Sequence, residues 1–189
     1  VHLIGESPSI EALRSTIRRV ADTDLAILLL GENGTGQEVV SQSVHYLSRR
    51  LDEPFVHDVP GDNGTAVYVE FEPSGASDIA FYEVYADVVA FTSVGHREPV
   101  MLVDRDAMQP LLLETINGGE PVMPGIPIHV AVVAVDSSGN AHREQLNVGS
   151  GKAYDNSGED PGGHLPDVDF IAGWNDDGTA IEVEWEILT

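Results

Sequence analysis

The sequence predicts a mainly β chain, an antiparallel β-sandwich preceded by a short α/β piece. Three observations predict it. After residue 57, apolar residues alternate with period two in several short runs. Before residue 56 the order is instead helix, strand, Gly-rich turn, helix. Between the two, near residues 51–54, the composition changes from Arg-containing to acidic, Gly-rich and Val-rich. The expected organisation is an α/β piece over 1–56, a sandwich over 57–147, a linker over 148–166, and the first strands of a second sandwich copy over 167–189.

In the first piece, Ser9 is placed to cap a helix that runs to Arg19. Ile10, Leu13, Ile17 and Val20 repeat at helical spacing. Residues 25–30 are uniformly apolar and stop at a glycine, which predicts a buried strand. A second helical pattern, through Val39, Val40, Ser43, Val44 and Leu47, follows the turn. A Gly-rich turn between a strand and a helix is the context a phosphate-binding loop needs. Glycines let backbone N–H groups turn inward, and the helix aims its positive dipole end at the anion. The candidate loop is Gly31, Glu32, Asn33, Gly34, Thr35, Gly36 and Gln37. A lysine at the last position would reach the outer phosphates. Gln37 offers a hydrogen bond and no charge, so the turn predicts weak nucleotide binding and no hydrolysis, and the chain is not expected to be an enzyme.

In the sandwich, Val67, Val69 and Phe71 alternate with Tyr68, Glu70 and Glu72 after a turn at 61–64. Residues 79–85, 100–103, 111–116 and 128–135 are further strand candidates, the last ending in a polar turn at 136–140. The run Asp62-Asn63-Gly64-Thr65-Ala66-Val67-Tyr68-Val69-Glu70-Phe71-Glu72 recurs 114 residues later, from Asp176 to Glu186, with seven of eleven positions identical. A tandem array of sandwiches is the direct reading. The truncated second copy must pack its strand, residues 180–188, on an edge of the first sandwich or on another chain, or stay disordered. Pairing with another chain would give self-association through the C-terminal strand.

Charge and residue types bound the function. There are 32 Asp and Glu against 9 Lys and Arg, a formal charge of −23. Such a field predicts no nucleic-acid partner and no membrane insertion, and favours proteins or cations. No cysteine is present, which removes disulfides and thiolate metal sites. Asp155, Asn156, Glu159 and Asp160 offer oxygen ligands in a polar loop, a candidate calcium site without EF-hand spacing. The seven histidines include no helical metal pair, and no Gly-x-Ser-x-Gly elbow occurs.

Two family resemblances follow from these residues. Leu3-Ile4-Gly5-Glu6-Ser7, Ile17 to Asp24, the loop from Gly31 to Gln37, and His45 to Arg50 with Pro54-Phe55-Val56 resemble the start of the AAA+ domain of bacterial enhancer-binding transcription activators, flagellar regulators among them. The family loop reads Gly-Glu-Ser-Gly-Thr-Gly-Lys-Glu, so Asn33 and Gln37 depart from it. The resemblance implies ATP-driven remodelling of RNA polymerase holoenzyme. It covers the first third of the chain, and the sigma-contacting loop, acidic Walker B strand and arginine fingers have no match downstream.

The sandwich segments are similar to a fibronectin type III domain, a member of the immunoglobulin-like sandwiches. Val67-x-Val69-x-Phe71 stands at its second strand and Asp78 to Tyr85 at its third. Val130 to Asn140 stands at its sixth, with Ile128 where the family places a corner tyrosine. That resemblance implies a non-catalytic structural or adhesive module, extracellular or at the cell surface. The alternatives are a degenerate ATP-binding AAA+ regulator fragment, which would be cytoplasmic, and a fusion without a single function.

Overall fold

The computed structural model describes residues 3–23, 26–30, 35–155, 172–174 and 180–184. In chain order the elements are α1 (Pro8–Ala21), β1 (Ala26–Leu30), α2 (Gln37–Leu47), β2 (Phe55–Asp58), β3 (Val67–Glu70), β4 (Ile79–Asp87), β5 (Met101–Asp104), β6 (Leu111–Leu113), a 3-10 turn (Asn117–Gly119), β7 (Pro127–Asp136), β8 (Val148–Lys152), β9 (Ala172–Trp174) and β10 (Ala180–Glu184). They form two compact units, Val1–Leu51 with Asp160–Thr189, and Asp52–Glu159.

In the first unit, α1 is capped by Ser7 rather than Ser9. Ser7 has extended backbone, and its hydroxyl oxygen accepts from the Ile10 N–H at 3.3 Å. Pro8 explains the shift. Its fixed φ suits the first helical position, and its missing N–H is one the helix start would leave unpaired anyway. Ser7→Ala should therefore lower stability by about 1 kcal/mol and Ser9→Ala by less, measured as shifts in thermal midpoint. Leu13 and Ile17 of α1 meet Val40 of α2 in a small buried cluster, with Leu3, Leu29 and Val44 packed around it.

The C-terminal strand packs on neither of its expected partners, an edge of the sandwich or another chain, but beside β1. β1 pairs in parallel with β10, Ala26 opposite Ala180 through Leu30 opposite Glu184, and β10 pairs antiparallel with β9. The C-terminal strand therefore lies inside a sheet of order β1-β10-β9. Both of its hydrogen-bonding edges are taken, which removes the expected self-association through that strand. The apolar β1 supplies the reason, since an exposed edge of that composition would be an open template.

The second unit has two antiparallel sheets, β2-β3-β6 and β5-β4-β7-β8. Val67, Val69, Leu113, Val122, Ile128 and Val130 are nearly solvent-free between them. Two boundaries differ from the sequence reading. β2 begins at Phe55, inside the expected α/β piece. β8 occupies Val148–Lys152, the start of the expected linker, and completes the four-stranded sheet. The composition of β8 disguised it, because glycines at 149 and 151 read as loop. Space requires them. A Cβ at Gly149 would lie 1.7 Å from the Pro54 carbonyl oxygen, and one at Gly151 would lie 2.4 Å from that of Val56. The edge strands of the two sheets approach closely here, and only glycine leaves room.

The outer face of the four-stranded sheet is also covered. Tyr85, Ala131 and Val133 are buried there with Phe91, beneath Val94, Ala141 and Leu146. The long segment 88–99 and the segment 137–147 meet over this face through Val94 N to Arg143 O at 3.1 Å and Leu146 N to Thr92 O at 2.8 Å.

Candidate functional site

The candidate phosphate loop sits between β1 and α2. Gly31, Glu32, Asn33 and Gly34 lie outside the described residues. Thr35, Gly36 and Gln37 lie within them. Gly36 is the helix N-cap, in the left-handed region at φ 90°, which a side chain rarely adopts. Its carbonyl accepts from Val40 N at 3.0 Å, so α2 begins at Gln37 without delay. No side chain caps the helix start. A strand, a glycine turn and a helix beginning at the seventh loop position is the backbone arrangement that holds a phosphate by N–H groups. The donor set fits only in part, because Gln37 stands where a charged ammonium would be needed, and Glu38 adds a negative charge in the first turn.

Of the candidate calcium ligands, Asn156, Glu159 and Asp160 lie outside the described residues. Asp155 forms a backbone bridge with Asn63. Close in sequence to that bridge partner, Asp62 caps its own turn, accepting from Gly64 N at 2.8 Å and Thr65 N at 3.0 Å. Asp58 accepts from Tyr154 N at 2.8 Å, and burial pushes its carboxyl above the usual range despite that bond. These acids serve the local chain.

Sequence reading missed two charged clusters on the covered sheet face, one joining residues sixty apart and the other residues ten apart. Arg143 donates to both oxygens of Glu83, at 2.8 and 3.0 Å, and the Tyr85 hydroxyl donates to the same carboxylate at 2.7 Å. Burial would raise the Glu83 carboxyl, but the bonds from Arg143 and Tyr85 and the Arg143 charge outweigh it and hold the group below its usual range. Burial and the Glu83 partner both push the Tyr85 hydroxyl up. Arg97 pairs with Asp87 at 2.7 Å and lies 4.4 Å above the Phe91 ring. Each arginine ties one covering segment to β4. Tyr85 and Phe91 are buried core. No described helix is long and apolar enough to cross a membrane.

Comparison with known proteins finds matches to the first part of the chain. The Sigma-54 interaction domain family matches residues 3–66. The C4-dicarboxylate transport transcriptional regulatory protein DctD of Rhizobium meliloti is 48% identical over 54 residues, 29% of this chain and 12% of that protein. The nitric oxide reductase transcription regulator NorR1 of Cupriavidus necator is 47% identical over 55 residues, 29% of this chain and 11% of that protein. The DNA-binding transcriptional regulator NtrC of a Bradyrhizobium species is 38% identical over 56 residues, 30% and 12%. The chain thus spans no more than 12% of the length of these relatives. Among solved structures, the Clostridium perfringens spore cortex lytic enzyme SleM aligns at TM-score 0.37 and 16% identity, over 55% of this chain and 27% of that one.

These matches correct the functional expectation. An adhesive structural role at the cell surface is overturned, because the relatives are transcription regulators. The expected absence of a nucleic-acid partner is at odds with a relative named as DNA-binding. Its basis was the net charge of this chain, which spans no more than 12% of the length of those relatives. The matched stretch also crosses the boundary between the two units, since it extends past Leu51 through β2. Residues 3–66 of this chain match a Sigma-54 interaction domain, the AAA+ domain of enhancer-binding activators.

Proposed function

We propose that this chain is a fragment of a sigma-54-type transcription regulator, with a degenerate nucleotide loop that binds ATP weakly and does not hydrolyse it. The observation that carries the reading is the match of residues 3–66 to the Sigma-54 interaction domain. The start of α2 directly after left-handed Gly36 supports it, because backbone N–H groups there can hold a phosphate. Gln37 limits it. Phosphoryl transfer needs neutralised developing charge, an organised metal and a positioned water. When bound, a nucleotide would supply only its phosphates as an anchor for the loop. The partners that follow are sigma-54 with RNA polymerase as protein, and DNA through other parts of a longer regulator. The compartment that follows is the cytoplasm.

For residues 52–159 we read the sandwich as built on the fibronectin type III plan. The first, second and fifth of its strands share one sheet, and the third, fourth, sixth and seventh share the other, which supports that reading. A fold-level likeness of this kind assigns no ligand and no adhesive role.

The test is a titration with a fluorescent ATP analogue and magnesium, alongside a phosphate-release assay. The expected result is weak binding that Gln37→Lys tightens, with no turnover in either protein. Phosphate release by the Gln37→Lys protein above its blank would overturn the non-hydrolytic reading. Undetectable binding by both proteins at millimolar nucleotide would remove the nucleotide role.

A further inference from the structure

We propose that Asn117 is a site of spontaneous covalent modification, converting to aspartate and isoaspartate through attack by the Gly118 backbone nitrogen, while the fold protects the like pair Asn63–Gly64. The proposal is independent of the nucleotide reading. An Asn-Gly pair is chemically prone to this ring closure, because glycine puts no side chain in the way. The sequence holds three such pairs, Asn33–Gly34, Asn63–Gly64 and Asn117–Gly118, the first of which falls outside the described residues. The reaction balances without any oxidant. The Gly118 nitrogen forms a bond to Asn117 Cγ and gives up its proton. The Cγ–Nδ2 bond breaks, and ammonia leaves. The five-membered imide then takes up one water and opens at either carbonyl.

Local structure separates the two described pairs. Asn117, Gly118 and Gly119 form the tip of a hairpin-like turn held by Ile116 N to Glu120 O at 2.8 Å and Val122 N to Glu114 O at 2.9 Å. Gly119 N donates to Ile116 O at 3.0 Å, whereas Gly118 N has no acceptor among the described residues. Gly118 and Gly119 are exposed, both at positive φ, and a Cβ on either would meet nothing within 4 Å. The peptide that must rotate is therefore unobstructed and its nucleophile unengaged. The Asn117 side chain has only a long 3.5 Å contact to Asp87 Oδ2 to hold it.

The other pair shares the positive φ, 72° at Gly64, but differs in its hydrogen bond and its walls. Gly64 N donates to Asp62 Oδ1 at 2.8 Å. Gly64 is buried, and a Cβ on it would lie 2.6 Å from Pro124 Cβ and 2.9 Å from Asp155 N. Asn63 is itself bridged to Asp155. Ring closure there must first break a bond to a charged acceptor and open a walled turn. Breaking such a bond alone corresponds to roughly tenfold or more in rate.

The experiment incubates the full chain in warm, mildly alkaline buffer, natively and in urea, and follows both sites by peptide mass spectrometry. Trypsin cleavage after Arg50, Arg97, Arg105 and Arg143 places Asn63 and Asn117 on different peptides. The expected native result is conversion at 117 at least roughly tenfold faster than at 63, with the two rates converging in urea. Equal native rates, faster conversion at 63, or the same ratio persisting in urea would each overturn the proposal.

Discussion

Gly149→Ala is expected to destabilise the sandwich by about 3 kcal/mol or more, at the upper end of what overpacking costs. The added Cβ would lie 1.7 Å from the Pro54 carbonyl oxygen and 2.8 Å from its carbon, less than half the normal separation of non-bonded atoms in the first case. Gly149 does not have positive φ, so the cost is steric and owes nothing to backbone preference. The obstacle is backbone at Pro54, immediately before β2, which cannot rotate away as a side chain would. Either β8 peels from β7 or the two sheets part along that side. Ser150→Ala, one residue on and exposed, is the control and should change stability by no more than about 0.5 kcal/mol. Urea unfolding midpoints of the two variants measure the difference. A Gly149→Ala protein as stable as the parent would mean that β2 and β8 do not approach as described.

Arg143→Met should cost about 2 kcal/mol at neutral pH, because it strands the Glu83 carboxylate under the covering segments. Breaking a fully buried pair costs more, but the Arg143 side chain keeps 37% of its surface exposed against 12% for Glu83, so solvent screening discounts the loss. The sign of the pH dependence follows from the direction of the Glu83 shift. Its folded-state carboxyl lies below the unfolded value, so the pair's contribution is present above the unfolded carboxylate range and is lost as pH falls through the folded value. The parent should therefore lose stability in acid more steeply than Arg143→Met, and the two curves should converge at low pH. Thermal midpoints across an acid series check this. A parallel offset at every pH would show that Arg143 acts through its apolar stem rather than its charge.

Legibility in the sequence was uneven, and the pattern has a physical basis. The alternation Val67, Val69 predicted β3, and the core sheet buries both residues fully. The apolar run ending at a glycine predicted β1, and the spacing through Leu13 and Ile17 and through Val40 and Val44 predicted two helices, whose buried residues meet in one cluster. Such signals are local, since side-chain period follows from backbone geometry. The cap of α1 was misplaced by two residues, because a proline at the first turn selects the residue before it. β8 was hidden, because its glycines answer to a carbonyl on a strand nearly a hundred residues earlier. Glu83 and Arg143, sixty residues apart, carry no joint signature along the chain.

The glycine turn between β1 and α2 could be recognised from the sequence, and its missing lysine noticed, because both are matters of residue type at fixed spacing. The same sequence set the alternation of the sandwich and the acidic charge. Only the tertiary structure decided which strand lies beside β1, that the C-terminal strand has no edge left, and which of two Asn-Gly pairs has its glycine open to solvent. Those outcomes depend on which distant backbone arrives at a given position, and the chain records that only as the absence of a side chain where one would not fit.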